Sequence, residues 1–231
     1  MADNSRFFSK LKIVLGSASP RRKQILAETG FNFVVRTREV DETPDPTLKR
    51  GDIATSLSVK KSVALIELME EDEILVTADT IVCLDHFVLN KPGSEQQAIE
   101  MLKMLSGRSH QVYTGVTIRS VLKSFSFATE SHVHFNKLSD GMIRDYIAHY
   151  KPFDKAGSYG AQECLPEEMN PCSEKEIAFM NETSNESLFE RTLAMDGKKH
   201  IPIIQKIEGS YFNVMGLPVA ELCDRLRIFI K

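Results

Sequence analysis

The spacing of hydrophobic residues along the chain alternates between two patterns. Short apolar runs predict buried strands, and apolar residues repeated every three or four positions predict helices with one face on a core. Strands are predicted at residues 12–15, 31–36, 73–84, 111–122, 124–135 and within 201–214. Helices are predicted at residues 20–29, 51–71, 94–105, 139–149 and 218–230. Alternating strands and helices followed by a hairpin favour an α/β domain with a mixed central sheet flanked by helices.

Residues 163–200 break this pattern, because they carry acidic residues, Asn and Ser with only a loose apolar spacing. We interpret the segment as an insertion that forms a surface helix or a mobile loop. Residues 11–231 are then a single domain and residues 1–10 are an N-terminal extension. The length of 231 residues allows one large core, or two lobes around a deep cleft.

Composition narrows the class of protein. The formal net charge of -3 argues against a general nucleic-acid or anionic-membrane surface, so local basic clusters are interpreted as sites. The four cysteines show no CxxC spacing, which favours reduced thiols. No apolar run reaches the ~20 residues of a membrane span, and the first ten residues lack a secretory apolar region. A cytoplasmic location is expected.

The first predicted helix begins with an unusual charge pattern. Ser19 suits the N-cap and Pro20 the first helical position. Arg21 and Arg22 follow directly, although the helix dipole and the free N–H groups already make this end positive. A strand, a turn of small residues that includes Ser17, and a doubly basic helix start together predict an anion site, with phosphate as the expected anion.

Asp79 is the second signal, since it lies within the apolar run of residues 74–84. A buried carboxylate is costly unless it is paired, hydrogen-bonded or bound to metal. One interpretation is a structural Asp capped by backbone N–H groups. The other is a carboxylate at the mouth of the sheet that binds a metal or acts as a base toward water.

Three other charged residues indicate a site only when they are combined with the basic helix start and Asp79. Lys91 follows a short strand, Glu42 lies in an acidic loop beside Asp41, and Lys61 follows Lys60 on a predicted helix. Each alone is typical of a solvated surface. Together they suit a site in which cations hold phosphate oxygens and carboxylates hold a metal ion.

The run at residues 154–162 is rich in small residues and ends at Gln162. It is either a loop that packs closely against a neighbour or a base-recognition segment, because an amide both donates to and accepts from a base edge. No Walker loop, GxGxxG fingerprint or GxSxG elbow is present, which disfavours P-loop, Rossmann and hydrolase-elbow chemistry.

Taken together, these motifs resemble the Maf family of nucleoside triphosphate pyrophosphatases, also called septum formation inhibitors. The resemblance covers the chain from about residue 11 to the last helix, apart from the insertion, and depends on eight blocks in order. The blocks are GSASPRR at 16–22, VDE at 40–42, ADTIV at 78–82, LNKP at 89–92, SGRSHQVYT at 106–114, DKAGSYG at 154–160, GSY at 209–211 and GLP at 216–218.

The resemblance implies a mixed α/β fold with a deep cleft, commonly as a homodimer, and hydrolysis of a nucleoside triphosphate to its monophosphate and pyrophosphate with Mg²⁺ or Mn²⁺. It assigns triphosphate binding to the basic residues and Ser17, catalysis or metal binding to two carboxylates, and base recognition to two polar side chains. The assigned residues are Ser17, Arg21, Arg22, Lys61 and Lys91 for the triphosphate, Glu42 and Asp79 for metal or water, and Thr80 and Gln162 for the nucleobase. Asp79, Glu42 and Lys91 are the catalytic residues among them, with Asp79 as the proton acceptor.

The block that ends at Gln162 resembles the branch of the family that acts on dTTP and UTP. Two features depart from the family pattern: Glu163 follows Gln162, and Ile201 comes almost forty positions later. Because the insertion adjoins the base-recognition segment, the substrate range stays open. The alternatives are an ITP/XTP-type pyrophosphatase and a non-catalytic nucleotide-binding regulator of cell division.

Overall fold

A seven-stranded mixed sheet organises the chain, in a computed structural model that describes residues 8, 10–183, 185, 188–193 and 201–231. The strands are β1 Lys12–Leu15, β2 Phe33–Val35, β3 Glu73–Leu84, β4 Phe87–Leu89, β5 Ser109–Arg119, β6 Ser124–Phe135 and β7 Ile204–Gly209. Their order is β2-β1-β3-β5-β6-β7, and β4 also pairs with β3. β1 is parallel to β2 and β3, while the remaining pairs are antiparallel.

The described helices flank this sheet and are numbered here in chain order. They are α1 Pro20–Glu28, α2 Gly51–Leu65, α3 Glu95–Leu105, α4 Asp140–Tyr150, α5 Ala161–Cys164, α6 Glu174–Glu182, α7 Leu188–Leu193, α8 Tyr211–Met215 and α9 Val219–Phe229. The predicted α/β class, with a mixed sheet flanked by helices, is confirmed.

The two faces of the sheet carry different packed clusters. Ile25 and Leu26 of α1 lie in the large core with most of the other helices, whereas Ile53 and Leu57 of α2 pack in a smaller cluster with Tyr113. Side chains alternate along β3 in the same way. Its even-numbered apolar residues from 76 to 82 belong to the large core, and residues 81 and 83 contact the α2 cluster.

Two predicted elements differ from the structure. The helix predicted over 51–71 ends at Leu65, and a short 3₁₀ turn, Ile66–Leu68, follows. The strand or hairpin predicted within 201–214 is a strand that stops at Gly209, after which α8 begins. The Ser210 hydroxyl accepts from the Asn213 amide at 2.9 Å, so a local N-cap starts a helix where the apolar residues alone suggested β structure.

The segment interpreted as an insertion contains two described helices, α6 and α7, joined to α5 by the non-helical residues 165–173. Phe179 and Met180 of α6 and Leu188 of α7 are buried in the large core. The interpretation as a surface helix therefore holds only for its outer face, on which Ile177 is 40% exposed. Residues 194–200 and most of the N-terminal extension lie outside the described residues. No helix in the described ranges is long and apolar enough to cross a membrane.

Candidate active site

The site lies at a gap in the sheet beside the middle of β3. On one side of β3, pairing with β1 ends at Leu15 and Val76, and pairing with β4 starts only at Val82 and Leu89. Among the described strands, β3 residues 77–81 therefore have a partner on the β5 side alone. Asp79 faces α2 and Thr80 faces the large core, and through the gap both border the same cleft.

A close contact between α2 and β5 sets the position of Lys61. Gly115 pairs with Asp79 across β3 and β5, and a Cβ atom on Gly115 would lie 2.2 Å from the backbone carbon of Ala54. Only glycine permits this approach. Ala54, Ser58 and Lys61 share one face of α2, since they are separated by four and seven residues. The Ser58 carbonyl accepts from the Thr77 hydroxyl at 2.7 Å, which fixes α2 over β3.

Lys61 links the two carboxylates that the sequence singled out. Its Nζ lies 2.5 Å from Asp79 Oδ1 and 2.9 Å from Glu42 Oε1. Partial burial alone would raise the pKa of Glu42, but the hydrogen bond and charge of Lys61, with the charges of Lys91 and Arg22, hold that pKa below its ordinary value. The three charged groups come from a loop (Glu42), a helix (Lys61 of α2) and a strand (Asp79 of β3).

Arg22 is buried and binds neutral groups. It is 9% exposed, and its guanidinium donates to Gly216 O at 2.7 Å, Ser17 Oγ at 3.2 Å and Thr80 Oγ1 at 3.0 Å. Burial lowers the pKa of Arg22, and the charge of Asp79 opposes that change. Within the described residues Arg22 forms no ion pair, so an anionic ligand in the cleft would be its direct counterion.

The hydroxyls beside Arg22 have defined donor roles. Thr114 Oγ1 donates to the Asn213 carbonyl at 2.9 Å, so the 2.9 Å contact between the two threonine hydroxyls uses the proton of Thr80. Thr80 thus accepts from Arg22 and donates to Thr114. In this arrangement Thr80 orients the guanidinium and can accept, but not donate, a further hydrogen bond toward a base.

Three more cations line the cleft: Arg21, Lys91 and Lys155. Lys155 is not among the predicted site residues, although the DKAGSYG block contains it. Its Nζ lies 2.8 Å from Asp154 Oδ1 and 3.8 Å from Glu163 Oε1, and Arg21 approaches the other oxygen of Asp154 at 3.7 Å. A lysine directly after an aspartate looks like an ordinary surface pair, and only its 14% side-chain exposure reveals the cleft position.

Three predicted site residues, Ser17, Glu42 and Gln162, lie beside the cleft rather than among the side chains that border it. Ser17 lines an adjoining recess with Glu42 and Lys61. The Gln162 amide donates to Gln24 Oε1 of α1 at 3.3 Å, while its neighbour Ala161 borders the cleft. The structure therefore brings the proposed triphosphate and metal residues together, and it leaves Gln162 at the margin.

The amino-acid sequence matches one protein family over most of its length. The sequence profile described as "Maf-like protein" matches residues 12–167 and 167–229. The chain belongs to the Maf family. A relative from Phocaeicola vulgatus, named dTTP/UTP pyrophosphatase, is 40% identical over 219 residues, which cover 94% of this chain and 96% of the relative. A Bacillus cereus relative of the same name is 37% identical over 218 residues, covering 94% and 95%.

One solved structure shows a weaker and partial similarity to this Maf-family chain. The nucleoside-triphosphatase / dITP/XTP pyrophosphatase of Mycobacterium abscessus superposes with a TM-score of 0.37 at 14% identity, over 54% of this chain and 73% of that one. The overlap is too limited to support a conclusion about function. The family assignment depends on the sequence matches.

Proposed function

We propose that this Maf-family chain hydrolyses dTTP and UTP to the nucleoside monophosphate and pyrophosphate. The observation that carries the proposal is the buried Arg22, whose partners among the described residues are all neutral, within the same cleft as the Lys61–Asp79 pair. A cleft bordered by Arg21, Lys91 and Lys155 as well suits a polyanion. The relatives named dTTP/UTP pyrophosphatase support the reaction and the choice of base.

Triphosphate binding is assigned to the cations that border the cleft. Arg22 and Arg21 come from the start of α1, with Ser17 in the turn before it, and Lys91 follows β4. Lys155 joins this set. Because guanidinium and ammonium groups donate several charge-assisted hydrogen bonds to phosphate oxygens, the removal of any one of them weakens binding without removing it.

The carboxylates suit a divalent cation that arrives with the nucleotide. No group of three or more His, Cys, Asp and Glu side chains capable of holding a metal is found in the described part of the chain. Glu42 and Asp79 nevertheless converge on one ammonium group, Lys61 Nζ, so they already share a position for positive charge. Mg²⁺ commonly binds through one or two carboxylates together with substrate phosphates. When bound, Mg²⁺ or Mn²⁺ would neutralise charge on the phosphate oxygens.

The reaction assigns distinct roles to Asp79 and the surrounding cations. Asp79 accepts a proton from the water whose oxygen attacks the α-phosphorus. The new bond joins that oxygen to phosphorus, the bond from the α-phosphorus to the bridging oxygen breaks, and pyrophosphate leaves with the electron pair. Lys61 and Lys91 stabilise charge on the phosphate oxygens and the leaving group, while Arg22 holds the bound phosphates in place.

Base selection, assembly and location extend the proposal. Gln162 is assigned to the base by the family resemblance, and its neighbour Ala161 borders the cleft. A homodimer in the cytoplasm is likewise proposed from that resemblance. Size-exclusion chromatography with light scattering measures the assembly, and a mass close to one 26.0 kDa chain would contradict the dimer.

A product-resolved panel tests the function. dTTP, UTP, CTP, ITP and GTP are each supplied with Mg²⁺ in ¹⁸O-labelled water, and products are followed by ³¹P NMR and mass spectrometry. We expect dTMP or UMP that carries the label, with unlabelled pyrophosphate. Nucleoside diphosphate with orthophosphate, or label in the pyrophosphate, would contradict attack at the α-phosphorus. Preference for ITP would favour the purine alternative, and binding without turnover the regulator.

A further inference from the structure

A buried carboxylate in the inserted segment has no role in the proposed reaction. Glu176, in the first turn of α6, is 1% exposed. Its Oε2 accepts from the Ser173 amide and hydroxyl, both at 2.8 Å, and from the Tyr211 amide at 3.1 Å. Its Oε1 accepts from the Ser210 hydroxyl at 2.6 Å and the Phe212 amide at 2.9 Å.

These five hydrogen bonds join two distant parts of the chain. Ser173 belongs to the inserted segment, where it forms a capping box with Glu176. Ser210, Tyr211 and Phe212 form the start of α8, and the first two of them are the last two residues of the GSY block. All five partners donate, so the site is matched to a carboxylate and not to a carboxamide, whose NH₂ group would face donors.

The other end of α8 is a wall of the cleft. Val214, Met215 and Gly216 border the cleft, and the Gly216 carbonyl accepts from Arg22 Nε at 2.7 Å. The Asn213 carbonyl accepts from Thr114, which in turn accepts from Thr80. A five-residue helix and its C-cap glycine therefore connect the Glu176 carboxylate to two of the three groups that accept from the Arg22 guanidinium.

We infer that Glu176 is a positioning residue for the triphosphate site and acts through α8 on Arg22. The inference depends on the proposed function for its kinetic readout. The inserted segment is then part of the support of the cleft rather than a separate lid. Within the described residues the Glu176 carboxylate bonds to the starts of α6 and α8, whereas Asp79 and Lys61 lie on β3 and α2. The effect therefore falls on Arg22 and on binding of the phosphates.

Glu176→Gln tests this with Glu174→Gln as the matched control, because Glu174 lies on the same helix and is exposed. We expect Glu176→Gln to raise KM for UTP roughly tenfold, with kcat within about twofold of wild type. Glu174→Gln should leave both constants unchanged. Equal effects of the two substitutions, or a fall in kcat with KM unchanged, would overturn the inference.

Two further measurements keep the test decisive. Ser173→Ala removes one donor and leaves the carboxylate and its α8 contacts, so this variant should fold and raise KM less than Glu176→Gln. If Glu176→Gln does not fold, Ser173→Ala takes its place in the test. An unchanged KM in Ser173→Ala would then count against the inference. Tripolyphosphate affinity, measured by calorimetry, separates the two proposals. If the wild type turns over no triphosphate, the proposed function fails, yet unequal tripolyphosphate affinities of wild type and Glu176→Gln would still support positioning, and equal ones would refute it.

Discussion

Replacement of Arg22 by methionine separates its binding role from its structural role. Methionine keeps an unbranched side chain in the same space but removes the charge and three donated hydrogen bonds. If Arg22 serves mainly as a counterion for phosphate, the variant should fold and lose affinity. If its hydrogen bonds mainly hold α1 against the Gly216 turn, the variant should lose much of its stability.

The structure sets the expected size of each effect. Ser17 Oγ also accepts from the Ser19 amide at 3.3 Å, and Thr80 Oγ1 keeps its contact with Thr114 at 2.9 Å. The largest cost comes from the Gly216 carbonyl, because it loses its donor, and a buried acceptor left without its donor costs about 1–3 kcal/mol. The removal of a buried cation also relieves a desolvation penalty.

The free energy of unfolding should therefore fall by no more than about 3 kcal/mol, which lowers Tm by roughly 2–4 °C per kcal/mol in a chain of this length. The lost charge-assisted contacts with phosphate should weaken tripolyphosphate binding by about 3 kcal/mol, or roughly a hundredfold. Urea unfolding and calorimetric titration measure the two quantities. Arg144→Met, at an exposed position on α4, is the control for the same change of residue type.

Two results would refute this reasoning about Arg22. An unchanged tripolyphosphate affinity would mean that the guanidinium is not the counterion of the phosphates. A loss of stability well above about 5 kcal/mol would mean that the three hydrogen bonds outweigh the desolvation cost of the buried charge. In either case the positive charge of the cleft would have to be assigned to Arg21, Lys91 and Lys155.

Three further predictions address chemistry, metal binding and pH. Asp79→Asn should lower kcat roughly 10²–10⁴-fold in the coupled pyrophosphate assay. Asp72→Asn is the control, because Asp72 forms a surface ion pair with Lys12, and this variant should keep its kcat. A near-normal kcat in the Asp79 variant would exclude the base role. Lys61→Met should let the free chain bind Mn²⁺, seen by electron paramagnetic resonance, because both carboxylates lose their shared cation; equal Mn²⁺ affinity of the free wild type would contradict this. Burial lowers the pKa of His110 from 6.5 to about 3, so between these pH values the unfolded state binds a proton that the folded state does not. The free energy of unfolding therefore falls as pH drops from about 6.5 toward 3, by up to ~1.4 kcal/mol per pH unit. His110→Phe should flatten that slope in urea titrations at pH 7 and 5, and an unchanged slope would assign it to other groups.

Short-range features of the sequence were predictable because their causes are local. The period of apolar residues marked each main strand and helix, and Ser19 with Pro20 marked the start of α1. Ser94 and Ser139, the first residues of two predicted helices, are local caps of the same kind, since each accepts from a backbone amide three residues later. The start of α8 was missed because its apolar residues also suit a strand, while the Ser210 cap and the Glu176 carboxylate decide for a helix.

The sequence by itself determined the α/β class, the family and all but one, Lys155, of the charged residues from which the site is built. Which carboxylate meets which cation was decided only by the tertiary structure. The Gly115 contact with α2 brings Lys61 onto Asp79, and the end of β1 pairing opens the edge of β3 beside them. Likewise, adjacent Arg21 and Arg22 look equivalent in sequence, yet only Arg22 is buried against Gly216, 194 positions away. The physical reason is that burial and ion pairing depend on strand order and helix packing, which bring together residues far apart in the chain.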